Sequence, residues 1–407
     1  MNRHNILVIT QWSFKDPLIQ TYTLPYVNII REKLPPGSRI FLVTFEQDRL
    51  RLTDSEKKVT KAELERKGIE WIPYSYASFG LVSIIGWIGN IIHLFSLILF
   101  RRVRHIHAWA PTAGALGYVL SRLTATPLII DSYEPHAEAM VENGTWKSSS
   151  MKFKILYRFE RLISKHARYL VSATEGMKEY AKTKYGVSPK NFLVKPACVD
   201  LEKMNPSVRK NANMLRELGL EHKIVGVYAG KFGGIYLQEE AFDLIAEAVK
   251  YWGDKFRMLL LTPEEPERVY ALAKKSGIGS ESLVIRFVPH HQIAQYLGLG
   301  DFGITPVKPV PTKRYCTPIK DGEYWALGLP VIITKNISDD SQIILDNEAG
   351  AVIESLDVPG YRSAIEKIDQ LLKGDPEKLR EKIHGLAVRY RSFGIADKVY
   401  EEIYGGK

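Results

Sequence analysis

Short apolar, β-branched runs recur along the chain, with longer segments of helical spacing between them. The first series reads as strands at 5–10, 39–45, 68–73, 105–109, 127–131 and 169–172. Between them, 24–34, 61–67, 84–102, 113–123 and 152–166 read as helices. A second series places strands at 224–229, 256–262, 283–288, 302–305, 330–334 and 351–354, with helices at 239–250, 266–275 and 291–297. Regular alternation of this kind builds a parallel sheet with helices on both faces. The expected fold class is therefore α/β, as two doubly wound, Rossmann-like domains. The polar, weakly periodic stretch 196–222 marks the boundary, and 376–404 reads as two or three closing helices.

Composition fits this picture. At 407 residues the chain exceeds one ordinary core, and its 45% hydrophobic and 25% charged content is that of a globular protein. Two distant cysteines, Cys198 and Cys316, form neither a disulfide framework nor a metal spacing, which points to a reducing compartment. The first ten residues lead into a strand without the apolar region and cleavage site of a signal peptide. The expectation is a cytoplasmic protein. A net charge of +10 favours an anionic partner, whether phosphorylated small molecule or anionic lipid. Nucleic acid is not expected, because no reader module and no basic stripe interleaved with aromatics is present.

One segment departs from the soluble pattern. Residues 79–100 carry no charge apart from His93, and Arg101, Arg102 and Arg104 follow at once. By length alone the segment could span a bilayer. It lies between two strands of one sheet, which a span would separate. Two readings stay open: a buried crossover helix, or a helix lying in an anionic membrane surface at the inner face of the membrane.

The richest local chemistry lies at 315–331. A Pro-containing loop enters a short helix that Gly328 and Pro330 stop before the next strand. Ligands of open α/β sheets sit at the carboxyl ends of strands, where helix N-termini offer free N–H groups to phosphate. Pro318 stiffens the loop, Gly322 would let a ligand approach the backbone, and Lys320 adds a cation. Glu323 suits the first turn and can accept hydrogen bonds from a ribose diol. The same residues also suit a plain capped helix.

The run Pro-x-Lys-x-x-Glu-Tyr-x-Ala-x-Gly-Leu-Pro-Val, from Pro318 to Val331, resembles the donor-site motif of retaining glycosyltransferases of the GT-B fold, close to glycosyltransferase family 4, or group 1. VYAGKFGG (227–234), FVPHHQIAQYLGLGDFGITP (287–306), VKPACVDLEKM (194–204) and RHIHAWAPTAGALGYVLSRL (104–123) resemble further segments of that family. Tyr315 stands where the family often has a Glu, and the first loop, 10–21, has no Gly.

The resemblance implies two domains facing across a cleft, with the C-terminal helices crossing back to the first: 1–205 for acceptor, 206–385 for donor, 386–407 as the returning helix. It implies a nucleotide-diphosphate sugar bound by Gly230, Gly233, Pro289, Thr317, Pro318, Ile319, Gly322 and Glu323. Lys231 and Lys320 would stabilise charge growing on the leaving phosphate, so neither metal nor cofactor is expected. Asp131, closing the fifth strand, with Glu134 and His136, would orient a glycan or lipid-linked acceptor or take its proton. The implied activity is hexosyl transfer with retention, in envelope polysaccharide or glycolipid assembly. A nucleotide-sugar epimerase and a non-catalytic nucleotide-sugar-binding or scaffold protein are the alternatives on the same fold.

Overall fold

The computed structural model describes residues 3–76 and 81–405. The start of the apolar segment, with Phe79 and Gly80, lies outside them. The chain divides into two compact units, Met1–Lys195 with Ala396–Lys407, and Pro196–Ile395.

The first unit runs β1 (Asn5–Ile9), α1 (Leu24–Lys33), β2 (Ile40–Glu46), α2 (Asp54–Arg66), β3 (Ile69–Ser75), α3 (Leu81–Phe100), β4 (Val103–Trp109), α4 (Ala110–Thr124), β5 (Leu128–Tyr133), α5 (His136–Glu142), α6 (Met151–His166), β6 (Tyr169–Ser172), α7 (Gly176–Tyr185) and β7 (Phe192–Val194). Its parallel sheet has the order β3-β2-β1-β4-β5-β6-β7. β1 and β2 are buried along nearly their whole length, because helices cover both faces. That is why these strands read as unbroken apolar runs. Progress through the sheet reverses between β1 and β4. Connections from β3 onward therefore lie on the face opposite α1 and α2, and α4 packs between α3 and α6.

The second unit runs α8 (Ala212–Glu217), β8 (Ile224–Ala229), α9 (Glu239–Trp252), β9 (Phe256–Leu261), α10 (Pro266–Lys275), β10 (Leu283–Arg286), α11 (Ile293–Leu297), β11 (Phe302–Thr305), α12 (Ile319–Ala326), β12 (Val331–Thr334), α13 (Asp340–Asp346), β13 (Gly350–Ile353), α14 (Val358–Leu372) and α15 (Pro376–Arg391). The order β10-β9-β8-β11-β12-β13 reverses between β8 and β11. Apolar clusters fill both faces, one under α9, α10 and α14, the other under α12 and α15. Val199 donates its N–H to the Arg391 carbonyl (2.8 Å) and bridges Ser392, so the segment entering this unit pairs with the one leaving it.

The last helix, α16 (Phe393–Tyr404), belongs to the first unit from Ala396 on. Lys33 of α1 holds it through Asp397 (2.8 Å) and Glu401 (3.1 Å).

Candidate functional site

The reversal between β8 and β11 is the switch point at which open α/β sheets take ligands. Two segments converge there. Strand β8 runs into the loop Gly230–Gly234, and β11 leads through 306–318 into α12. The loops are joined: Leu237 donates to the Pro306 carbonyl (2.7 Å) and Lys308 to that of Ile235 (3.0 Å). Glu264 fixes the first loop by accepting the Phe232 N–H at 2.8 Å.

Lys320 lies over this loop. Its ammonium donates to Tyr236 Oη at 2.7 Å and sits 4.2 Å from the centre of that ring. A Cβ at position 230 would fall 2.9 Å from Lys320 Cε and 2.9 Å from Tyr228 Oη. Gly230 also has φ +153°, which L side chains rarely adopt. Glycine is thus required there by both space and backbone. Lys231 is exposed at the loop tip, its carbonyl accepting from Tyr228 Oη. Gly233, at φ +82°, turns the loop onward.

Helix α12 starts at Ile319 behind Pro318, and no side chain caps it. The first-turn N–H groups at Ile319 and Lys320 are therefore free to meet an anion. Thr317 precedes them and accepts from Ser338 Oγ. Glu323 is half-buried, and no hydrogen bond reaches its carboxyl among the described residues. Burial pushes that carboxyl up to about 7, against the pull of Lys320. Pro289 is exposed ahead of the short turn His290–Gln292, after β10, which β9 and β8 separate from β11 in the sheet.

Gly322 plays a different part from the one expected. It is buried, and a Cβ there would meet Val199 Cγ1 at 3.0 Å and Arg391 Cγ at 3.2 Å. Its missing side chain lets α12 pack against the unit's entry and exit segments; ligand approach from that side is closed. Beside it, Asp321 is fully buried and accepts from Thr305 Oγ1, while Arg391 donates to Asp340. Burial and the neighbouring Asp340 raise the Asp321 carboxyl well above its ordinary range. These groups fix the start of α12 from beneath.

In the first unit, Asp131 lies within β5, which continues to Tyr133. It is fully buried, so it does not offer itself at a strand end. It accepts from Tyr400 Oη (2.6 Å) and the Ser132 N–H (2.7 Å), and pairs with Lys195 Nζ (3.2 Å) and His107 Nε2 (3.4 Å). Burial would raise this carboxyl. Lys195, then His107 and Tyr400, outweigh it and hold the group well below the usual carboxylate range. A carboxylate so stabilised is a weak base. Burial also keeps His107 neutral, its Nδ1 2.7 Å from Tyr404 Oη. Lys195 is itself buried, 3.6 Å from the Tyr26 ring centre. Asp131 is thus a structural anchor for α16.

His136 opens α5 instead, a quarter exposed, with Nδ1 2.8 Å from Glu134 Oε1. Glu160 of α6 supports it from below by accepting the Ala137 N–H (2.8 Å) and Tyr185 Oη (2.8 Å). Burial raises the Glu160 carboxyl to about 7. At the carboxyl edge, Ala110 and Ser132 follow the paired residues Trp109 and Asp131, and both take left-handed φ, +63° and +52°. Strain of that kind gathers at working ends of sheets. The reversal between β1 and β4 brings the 10–21 loop beside it.

No family model matches the chain. One curated relative, the D-inositol 3-phosphate glycosyltransferase of Geodermatophilus obscurus, is 25% identical over 290 residues, which is 65% of this chain. The alignment spans 59% of that relative's length. Solved structures align end to end. Anabaena HepE in complex with UDP gives a TM-score of 0.72 at 13% identity, covering 98% of this chain and 99% of that one. WaaG, a glycosyltransferase involved in lipopolysaccharide biosynthesis, gives 0.70 at 14% identity, covering 99% and 100%.

The chain has the GT-B fold.

The strands of both sheets are those expected from the hydropathy pattern, apart from β7, which was not expected. The second unit brings Gly230, Gly233, Lys231 and Lys320 to one switch point, with Thr317, Pro318, Ile319 and Glu323 on the approach to α12 and in its first turns. In the first unit Asp131 is withdrawn into a buried network, and His136 pairs with Glu134. Sequence reasoning passed over Tyr236, Lys195, His107 and Tyr400. Lys195 and His107 stood inside quoted segments, yet nothing in a linear pattern pairs either with residue 131 or residue 400.

Proposed function

We propose that the chain transfers a sugar from a nucleotide-diphosphate donor to an acceptor hydroxyl. The observation that carries this reading is Lys320: it lies over the Gly230 loop at the β8–β11 switch point, in the first turn of a helix with no side-chain cap. Cation and N–H groups together suit a diphosphate. As the anomeric bond breaks, negative charge grows on the leaving phosphate, and Lys320 with Lys231 would meet it there. In this reading no metal is needed. Glu323, with its unpaired carboxyl, would accept the ribose hydroxyls. The acceptor hydroxyl would fall to His136, held by Glu134 as general base. The finer terms are a hexosyl group, retention, and a glycan or lipid-linked acceptor in envelope polysaccharide or glycolipid assembly on the cytoplasmic side. They follow the motif likeness at 318–331 and the relatives' printed activities.

Thermal unfolding against UDP, GDP, ADP and their sugars tests the donor half. A ligand at a hundred times its Kd adds about 2.7 kcal/mol to stability. One base should raise the melting temperature of the wild type and fail to do so in Lys320→Ala and Glu323→Ala. No response to any nucleotide overturns the assignment. The withdrawal of Asp131 favours a second reading, a nucleotide-sugar binder without turnover. Binding without release of nucleoside diphosphate, whatever acceptor is offered, would decide for it.

A further inference from the structure

Helix α3 is fixed to the first unit by its C-terminal half. Leu94 and Ile98 are buried there, and His93 Nδ1 lies 2.6 Å from Tyr74 Oη. From Ile85 to His93 no residue is buried. Ile85 is 72% exposed, Ile92 62% and Phe100 87%, with Ile88 and Leu99 also exposed. Positions 85, 88, 92 and 99 fall on one helical face, so these side chains form a continuous apolar stripe. Single exposed apolar residues are ordinary; a contiguous stripe marks an interaction surface.

The surroundings of the stripe identify its partner. Arg101, Arg102 and Arg104 follow it and are exposed. Arg101 approaches Glu70 only at 3.9 Å, and among the described residues Arg102 and Arg104 form no ion pair. The neighbouring helices of the same layer continue the charge. Neither α3 nor α4 contains an acidic residue, and the one in α6, Glu160, is fully buried. Lys154, Arg158 and Arg161 of α6 are exposed beside the apolar Met151 and Ile155. Three adjacent helices thus present cations and apolar side chains, and no carboxylate.

We propose that α3 docks the chain on an anionic bilayer surface. The isoleucines and Phe100 enter the boundary between headgroups and acyl chains, and the arginines meet the headgroup phosphates. A second copy of this chain would bring like charges together. An acidic protein would leave the isoleucines without a partner. The helix lies in the interface and does not cross it, because a span would part β3 from β4, which flank it in sequence and belong to one sheet. This proposal is independent of the donor-site reading.

The test is co-sedimentation of the full chain with phosphatidylcholine vesicles, with and without phosphatidylglycerol. Binding is expected only with phosphatidylglycerol, and it should weaken as salt rises. Arg101→Ala/Arg102→Ala/Arg104→Ala should lower the partition coefficient on the order of a hundredfold. Ile88→Ser/Ile92→Ser should lower it even at low salt. Both variants replace exposed residues, so melting curves should match the wild type. Wild-type protein left in the supernatant with both vesicle types, or bound equally to both, overturns the proposal. So does Ile88→Ser/Ile92→Ser that binds vesicles as before but loses mass by light scattering, since a second copy would then cover the stripe.

Discussion

Gly230 and Lys320 are 90 positions apart in sequence, yet each fixes the other. A methyl group at 230 would displace the Lys320 stem and force a φ near +153° on an L residue. Gly230→Ala should therefore weaken nucleotide binding at least about tenfold, read by titration calorimetry, with a loss of stability of about 1–3 kcal/mol. Unchanged affinity would mean that Lys320 is not a phosphate ligand. Glu323 gives a pH signature. Burial raises its carboxyl to about 7, and the ionised form accepts ribose hydroxyls more strongly than the neutral acid. Affinity should be full above pH 8 and fall as pH drops below 7, while Glu323→Gln binds weakly at every pH. The stability term has the opposite sign. A raised carboxyl favours the folded state below its unfolded value near 4.5 and loses that contribution by about 7, so the apo protein should not be stabilised by ionisation there. A pH-independent wild-type affinity would exclude Glu323 from ribose recognition. Lys320 and Glu323 were legible because motif and helix start coincide in a few residues. The packing role of Gly322 was not, because Val199 and Arg391 reach it from distant parts of the chain.

At the scale of elements, periodicity located strands whose faces are uniformly apolar and failed where polar groups are buried. In α6, Ile155, Phe159, Leu162 and Ile163 are spaced as one apolar stripe. The buried line instead runs through Leu156, Glu160 and Ile163. Glu160 turns inward because it takes the first free N–H groups of α5 into account, accepting that of Ala137, and Tyr185 completes it. No hydropathy pattern marks a carboxylate as core. Strand β7 is three residues long, too short to show an alternation. Asp131 shows the same blindness, and its partners make the prediction. Asp131→Asn leaves Lys195 buried beside a neutral amide, and loss of one partner of such a pair costs about 3–5 kcal/mol. Asp131→Asn/Lys195→Met should recover part of that loss, because both charges are gone. Chemical denaturation of the two single variants and the double variant measures the coupling. Additive losses would show that the pair is not an energetic unit.

The whole molecule depends on a chain that leaves its first unit at Lys195 and returns at Ala396. Both ends of that excursion meet in one buried network. Lys195 is the last residue before the departure, and Tyr400 and Tyr404 lie on the returning helix. The helical tail was visible in the sequence, but its attachment to the first unit came only with the motif likeness, since residues 131 and 400 share no local pattern. Ending the chain after Ile395 removes both tyrosine hydroxyls and the Lys33 ion pairs with Asp397 and Glu401. His107 and Asp131 then lose their oriented donors while staying in β4 and β5. The second unit retains its own sheet, both apolar clusters and the Asp321–Asp340–Arg391 group. Differential scanning calorimetry of the shortened chain should therefore show two transitions: a low one for the first unit, and one near the wild-type temperature for the second. The second should still move up with the nucleotide that stabilises the full chain, because every donor-side residue named above lies within Pro196–Ile395. One transition shifted as a whole would show that the units melt together, and that α16 serves the stability of both.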